Sequence, residues 1–156
     1  MGTPEPDSRA CNIIETVRAD TQSGAAQLAT RALTLVRQWL AAGGVSTDAL
    51  EQLLTDLAKA RPSMVPLANA IERVRQGLVG SQNGASTAEQ ALPVVDSVLE
   101  QIASANRRVA EFATTRVSEQ ARIFTHSRSS QVLALFRLLV QQGRNFSVTC
   151  TQSSPG

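Results

Sequence analysis

Between residues 121 and 156 the spacing of apolar side chains changes period twice, and only here does a strand-like pattern stand beside a helical one. Residues 123–125 are a short apolar run, followed by the hydroxyl-rich loop His126-Ser127-Arg128-Ser129-Ser130. Val132, Leu133, Leu135, Phe136, Leu139 and Val140 then recur at helical spacing. Gly143 stands where a helix commonly ends on a residue of positive φ. Phe146, Val148 and Cys150 alternate with Ser147, Thr149 and Thr151, the pattern of a half-buried strand. The order predicts a βαβ unit. Its loop falls at the carboxyl end of the first strand, where open α/β sheets bind ligands.

Everything upstream reads as helix. A polar, proline-bearing stretch over 1–8 is expected to be a flexible leader, and residues 9–19 a first helix with Ile13, Ile14 and Val17 inward. Residues 24–42 carry Leu28, Ala32, Leu35, Val36 and Trp39 on one face, with Ser23 placed to cap them and Gly43-Gly44 to stop them. Asp48 and Glu51 resemble a capping box ahead of Leu50, Leu53, Leu54 and Leu57. Pro62 disfavours helix at the residue before it. Ser63 is then placed to cap a fourth helix bearing Leu67, Ile71, Val74 and Leu78, with Pro66 in its first turn.

Residues 79–85 read as a linker. Ser86 and Glu89 form a cleaner capping box, opening a long helix to about residue 118. Leu92, Val95, Leu99, Ile102, Val109 and Phe112 are its expected inner face, and Pro93 is expected to kink it. The expected fold is therefore mainly α. A helical domain of about five helices over 9–118 precedes an incomplete Rossmann-like unit over 119–156.

Charge narrows the function. The net charge is +2, and the basic residues, Arg apart from Lys59, are scattered along the chain. A nucleic-acid surface needs them clustered on one face, so no nucleic-acid partner is expected. No apolar run approaches the length of a membrane span, so no membrane partner is expected and the cytoplasm is the default location. Cys11 and Cys150 lie far apart without metal-ligand spacing, so neither a disulfide nor a metal is expected. Cys150 is read as a small buried hydrophobe. His126 is the single histidine, with no Cys or acidic neighbour, and is expected to bond backbone rather than to catalyse.

Four stretches together resemble the translation initiation factor 2B alpha/beta/delta subunit family, whose fold is shared by methylthioribose-1-phosphate isomerase and ribose-1,5-bisphosphate isomerase. Asp20-Thr-Gln-Ser-Gly-Ala-Ala26 is similar to the family's D-x-x-S-G-A stretch. Ala60-Arg-Pro-Ser-Met64 with Leu67-Ala-Asn-Ala-Ile71 is similar to A-R-P-[ST]-x-x-x-L-x-N-A-I. Arg122-Ile-Phe-Thr-His-Ser-Arg-Ser-Ser-Gln-Val132 resembles I-L-T-H-S-x-S-S-x-V. The last stretch, 148–156, looks like a decayed V-x-V-T-E-S-R-P-G, with Gln152 and Ser154 where the family has Glu and Arg.

The resemblance implies a helical domain followed by a Rossmann-like domain with more strands than the two read here. A truncated α/β domain is accordingly expected: a fragment, an early stop or a degenerate paralogue. It also implies a phosphate ligand at Arg61, beside Pro62 at a helix start, the alternative being a structural Arg bonded to Asp56 or to carbonyls ending the third helix. Gly24 at the start of the second helix, and Ser127, Arg128, Ser129 and Ser130 in the loop, complete the expected phosphate-binding set. Ser129 or Ser130 is expected to cap its helix whether or not a ligand binds.

The isomerases of the family have Arg-Gly-Ala where this chain has Ser23-Gly24-Ala25, and a catalytic Cys where it has Ser127. Serine lacks the easily formed thiolate. The partner Asp of the isomerases would lie beyond Gly156. The resemblance thus implies a non-catalytic initiation factor 2B-like protein, with no catalytic residue and no cofactor. Its expected partners are a phosphorylated sugar or nucleotide, and a second copy or a family subunit. The alternatives are an aldose–ketose isomerase whose catalytic half is missing, and a helical protein-interaction module.

Overall fold

A computed structural model describes residues 8–79, 86–126 and 129–151. The expected leader, most of the expected linker, Ser127, Arg128 and the terminal motif with Gln152 and Ser154 lie outside the described residues. The elements run α1 (Ser8–Ala19), α2 (Ala25–Ala41), α3 (Thr47–Ala60), α4 (Val65–Leu78), α5 (Thr87–Thr114), β1 (Ala121–Thr125), α6 (Ser130–Gln141) and β2 (Phe146–Cys150). They divide into two compact units, Met1–Glu100 and Gln101–Gly156, with the division inside α5.

In the first unit α2 packs on α4, α1 on α2 and α3, and α3 on α4. Helical periodicity accounts for the core. Leu50, Leu53, Leu54 and Leu57 are all buried on α3, as are Leu67, Ile71 and Val74 on α4. Leu28, Ala32, Val36 and Trp39 are buried on α2, where Leu33 and Leu40 widen the stripe and Leu35 is left half-buried. Each fully buried leucine contributes about 1.5–3 kcal/mol relative to exposure. Gly77 allows α5 to lie close against α4: a Cβ there would meet Val94 Cγ1 at 2.5 Å.

Several helix starts differ from expectation. Ser46, not Asp48, is the N-cap of α3, its hydroxyl accepting the Ala49 N–H at 3.1 Å. Met64, without a side-chain cap bond, precedes α4 in place of Ser63, and Pro66 sits in the first turn as expected. The capping box of α5 forms as read: the Glu89 carboxylate accepts the Ser86 N–H at 2.8 Å, and the Ser86 hydroxyl accepts the Glu89 N–H at 3.3 Å. The Ser86 backbone N–H, with its hydroxyl, holds the Glu89 carboxyl below its usual range. The helix runs through Pro93 and ends at Thr114, short of the expected residue 118.

The second unit is a βαβ unit with β1 and β2 parallel, Ala121 opposite Phe146 and Thr125 opposite Cys150. A Schellman ending closes α6: Gly143 at φ 68° donates to the Val140 carbonyl, and Arg144 donates to that of Leu139, both at 3.0 Å. Arg144 then ties the turn to the segment before β1, through Glu119 at 3.0 Å and the Val117 carbonyl. Phe136 and Phe146 stack helix on strand with centroids 5.7 Å apart.

Burial here is thinner than periodicity implies. Of the α6 stripe only Leu139 is buried, and Val140 is 66% exposed. Ala110 and Thr114, one turn apart, take the packed side of α5, which leaves Val109 and Phe112 outward where an inner face was expected. Cys150 is exposed rather than buried, because the carboxyl half of β2 has little over it.

Candidate functional site

In the first unit the organising residue is Asp20, which directly follows α1. Its side chain is 1% exposed. Oδ1 accepts the N–H groups of Gln22 at 3.0 Å and Ser23 at 2.8 Å, while Oδ2 accepts the Ser23 hydroxyl at 2.8 Å and Arg31 Nη1 at 2.6 Å. Burial pushes this carboxyl up, but the Ser23 hydroxyl and N–H, Arg31 and the Gln22 N–H outweigh burial and hold it at about 2. Ser23 is therefore committed to Asp20 and does not cap α2. The N-cap is Gly24, in extended conformation and without a side-chain bond, and there is open space where its Cβ would stand.

Arg61, the C-cap residue of α3, reaches the same loop: its Nη1 donates to the carbonyls of Arg18 at 3.2 Å and Asp20 at 2.5 Å. The structural role weighed for Arg61 exists, but its carbonyls end the first helix rather than the third. Asp56 instead accepts from the Gln52 amide at 3.0 Å. Gly24 and Arg61 thus share one loop, 20–24, fixed from inside by Asp20 and from outside by a guanidinium. Asp20 was marked in the sequence only as the first residue of the D-x-x-S-G-A stretch, not as the brace of this loop. Its signal was a carboxylate three residues before Ser23, directly after a helix, where Asp side chains fold back onto the next N–H groups.

In the second unit, Ser129 and Ser130 lie where β1 passes into α6. Ser129 is the N-cap by position, its carbonyl accepting the Leu133 N–H at 2.9 Å, but its side chain makes no cap bond. The hydroxyl cap expected there is absent from Ser129, which leaves first-turn N–H groups for another acceptor. The neighbouring carboxyl end of the sheet is clasped. Beyond β2, the Thr151 N–H donates to the Thr125 carbonyl at 3.2 Å. The Thr151 hydroxyl donates to the His126 carbonyl at 2.5 Å and lies 2.9 Å from His126 Nδ1. The His126 ring thus meets a side-chain hydroxyl rather than the backbone bond expected. Thr151 was legible only as a strand position, because its meeting with His126 depends on the β1–β2 register.

The model of the Initiation factor 2 subunit family matches residues 16–156. The chain belongs to that family. Among curated relatives, the ribose 1,5-bisphosphate isomerase of Methanocaldococcus jannaschii is 25% identical over 99 residues, covering 64% of this chain and 31% of the relative. The methylthioribose-1-phosphate isomerase of Klebsiella pneumoniae is 28% identical over 130 residues, covering 78% and 37%. The chain therefore spans about a third of the length of the curated relatives it matches.

Solved structures of the family share the fold. The translation initiation factor eIF-2B of Pyrococcus horikoshii superposes with a TM-score of 0.73 at 19% identity, covering 96% of this chain and 52% of its own. The tetrameric eIF2B-beta2-delta2 complex of C. thermophilum gives 0.67 at 13% identity, covering 94% and 51%. Family membership and the fold of helices followed by a small parallel α/β unit agree with the sequence reading. No helix among the described residues is long and apolar enough to cross a membrane.

Proposed function

We propose that the chain is a non-catalytic, initiation factor 2B-like protein that binds the phosphate group of a sugar or nucleotide and serves a regulatory or assembly role. The observation that carries this reading is the start of α6: a helix at the carboxyl end of two parallel strands, whose N-cap side chain leaves the first-turn N–H groups to another acceptor. Helix dipole and unspent donors favour an anion there. Ser129 and Ser130 stand at this start, and Ser127 and Arg128 are proposed to add a hydroxyl and a guanidinium. In the first unit Gly24 offers a second uncapped helix start, and Arg61 keeps guanidinium donors other than Nη1 for a ligand. Serine at 127, where the family's isomerases carry Cys, supports binding without turnover.

Assembly with a second copy or a family subunit is supported by exposed apolar side chains in the second unit. Phe112, Phe124 and Val140 are each about two-thirds exposed. A second reading, sugar-phosphate isomerase, is favoured by the names of the curated relatives. Titration calorimetry with ribose 5-phosphate tests the binding reading. Saturable heat in the micromolar-to-millimolar range, reduced at least threefold by Ser129→Ala, is expected; Ala removes a hydroxyl that makes no cap bond to the helix and so leaves α6 in place. Absence of heat at millimolar ligand would contradict it.

A further inference from the structure

We propose that the open face of the β1–β2 sheet is a platform for single-stranded nucleic acid, with the Phe124 ring stacking on a base and Arg122 meeting the phosphate chain. This goes beyond the phosphate reading above and uses none of its residues. The basic residues are scattered along the sequence, which speaks against a nucleic-acid surface for the chain as a whole, but the two units do not share the charge evenly. Residues 101–156 hold seven of the 15 basic residues and two of the 13 acidic ones, which leaves this stretch at +5 and residues 1–100 at −3. One of the two carboxylates, Glu119, is already engaged by Arg144 and the Asn145 N–H. Charge asymmetry of this kind between two parts of a chain points to a polyanionic partner for the basic part.

The parallel register decides which side chains share a face. Arg122 stands beside Ser147 and Phe124 beside Thr149, on the side of the sheet away from the one where Phe136 of α6 stacks against Phe146. All four are exposed, Phe124 by 68%. Arg122 makes no hydrogen bond or ion pair, and Phe124 no ring contact, among the described residues. Phe112, also exposed, is by contrast met by the Arg116 guanidinium 5.3 Å from its centroid. An uncovered ring, a free guanidinium two residues away and two hydroxyls thus form a surface without a carboxylate. These are the groups that a single strand asks for, a flat apolar surface for a base and a cation for its phosphate. A run of carboxylates would satisfy the charge but offers nothing planar to Phe124, and a duplex keeps its bases stacked inside.

Fluorescence anisotropy of a labelled oligouridylate of about twelve nucleotides, titrated with the full chain, tests the platform. Saturable micromolar binding is expected, weakened about tenfold by Phe124→Ala, the worth of one stacked base, and restored by Phe124→Trp. Arg122→Gln should lower the slope of log affinity against log salt by about 0.7, one phosphate contact on a single strand, while Phe124→Ala leaves that slope unchanged. Both side chains are exposed, so neither substitution touches the core, and circular dichroism should match the wild type. A duplex of the same length should bind more weakly. Absence of binding, an affinity unchanged in Phe124→Ala, or equal competition by polyglutamate would overturn the proposal. A Phe124→Ala chain that passes from dimer to monomer in sedimentation velocity, with its affinity for the oligonucleotide intact, would give the face to a second copy and overturn it as well. Loss of oligonucleotide binding alone, with ribose 5-phosphate still bound, would sink this inference and leave the phosphate reading in place.

Discussion

Asp20 shows how one buried carboxylate sets a loop. It satisfies two backbone N–H groups, a hydroxyl and a guanidinium, and Arg61 closes over the carbonyl of the same residue. Its carboxyl is held at about 2 against an ordinary 3.8, so its stabilisation is complete above pH 4 to 5 and is lost as pH falls through 2. Asp20→Asn should therefore cost about 2 kcal/mol at pH 7. In urea titrations the gap between variant and wild type should close as the pH is lowered toward 2. A gap that stays constant across that range would show that the charge is not what holds the loop. At this scale the sequence was legible in part. The residue types placed Gly24 and Ser129 directly before helices, where they are found. What each side chain bonds to was not legible, because Arg61 reaches across from α3 to carbonyls 41 and 43 residues away.

Among the elements, helix interiors were readable and helix ends less so. The α3 leucines and Leu67, Ile71 and Val74 of the α4 stripe are buried as spaced, since burial on one face of a helix follows directly from its period, while Leu78 at the end of α4 is left half-buried. Ends depend on which of several nearby hydroxyls wins the first N–H. Ser46 won over Asp48, and Asp20 took Ser23 away from α2. Val109 and Phe112 fit the apolar period of α5 but lie outward, because smaller residues, Ala110 and Thr114, line its packed side in the second unit. Gly143 was the most secure end. Its φ of 68° is one that a side chain resists. Gly143→Ala should lower stability by about 1 kcal/mol without changing helix content, which thermal unfolding followed by circular dichroism would read. No loss in melting temperature would mean that the Schellman ending contributes nothing to the βαβ unit.

At the scale of the molecule, two compact units carry different parts of the proposed chemistry. The first is a helical core with one carboxylate-braced loop. The second is a short parallel α/β unit with an uncapped helix start after β1, a clasped histidine, and exposed apolar side chains elsewhere on its surface. The family and its fold were legible because motif and periodicity pointed the same way along most of the chain. The burial of the second unit was not, since alternation in a strand says which residues share a face but not whether anything covers it. Binding without turnover is the central claim. It is tested most directly by ³¹P NMR of ribose 1,5-bisphosphate mixed with the protein over several hours. Shifted or broadened phosphate resonances that keep their identity are expected. The growth of resonances from an isomerised bisphosphate, or a spectrum unperturbed by the protein, would contradict it.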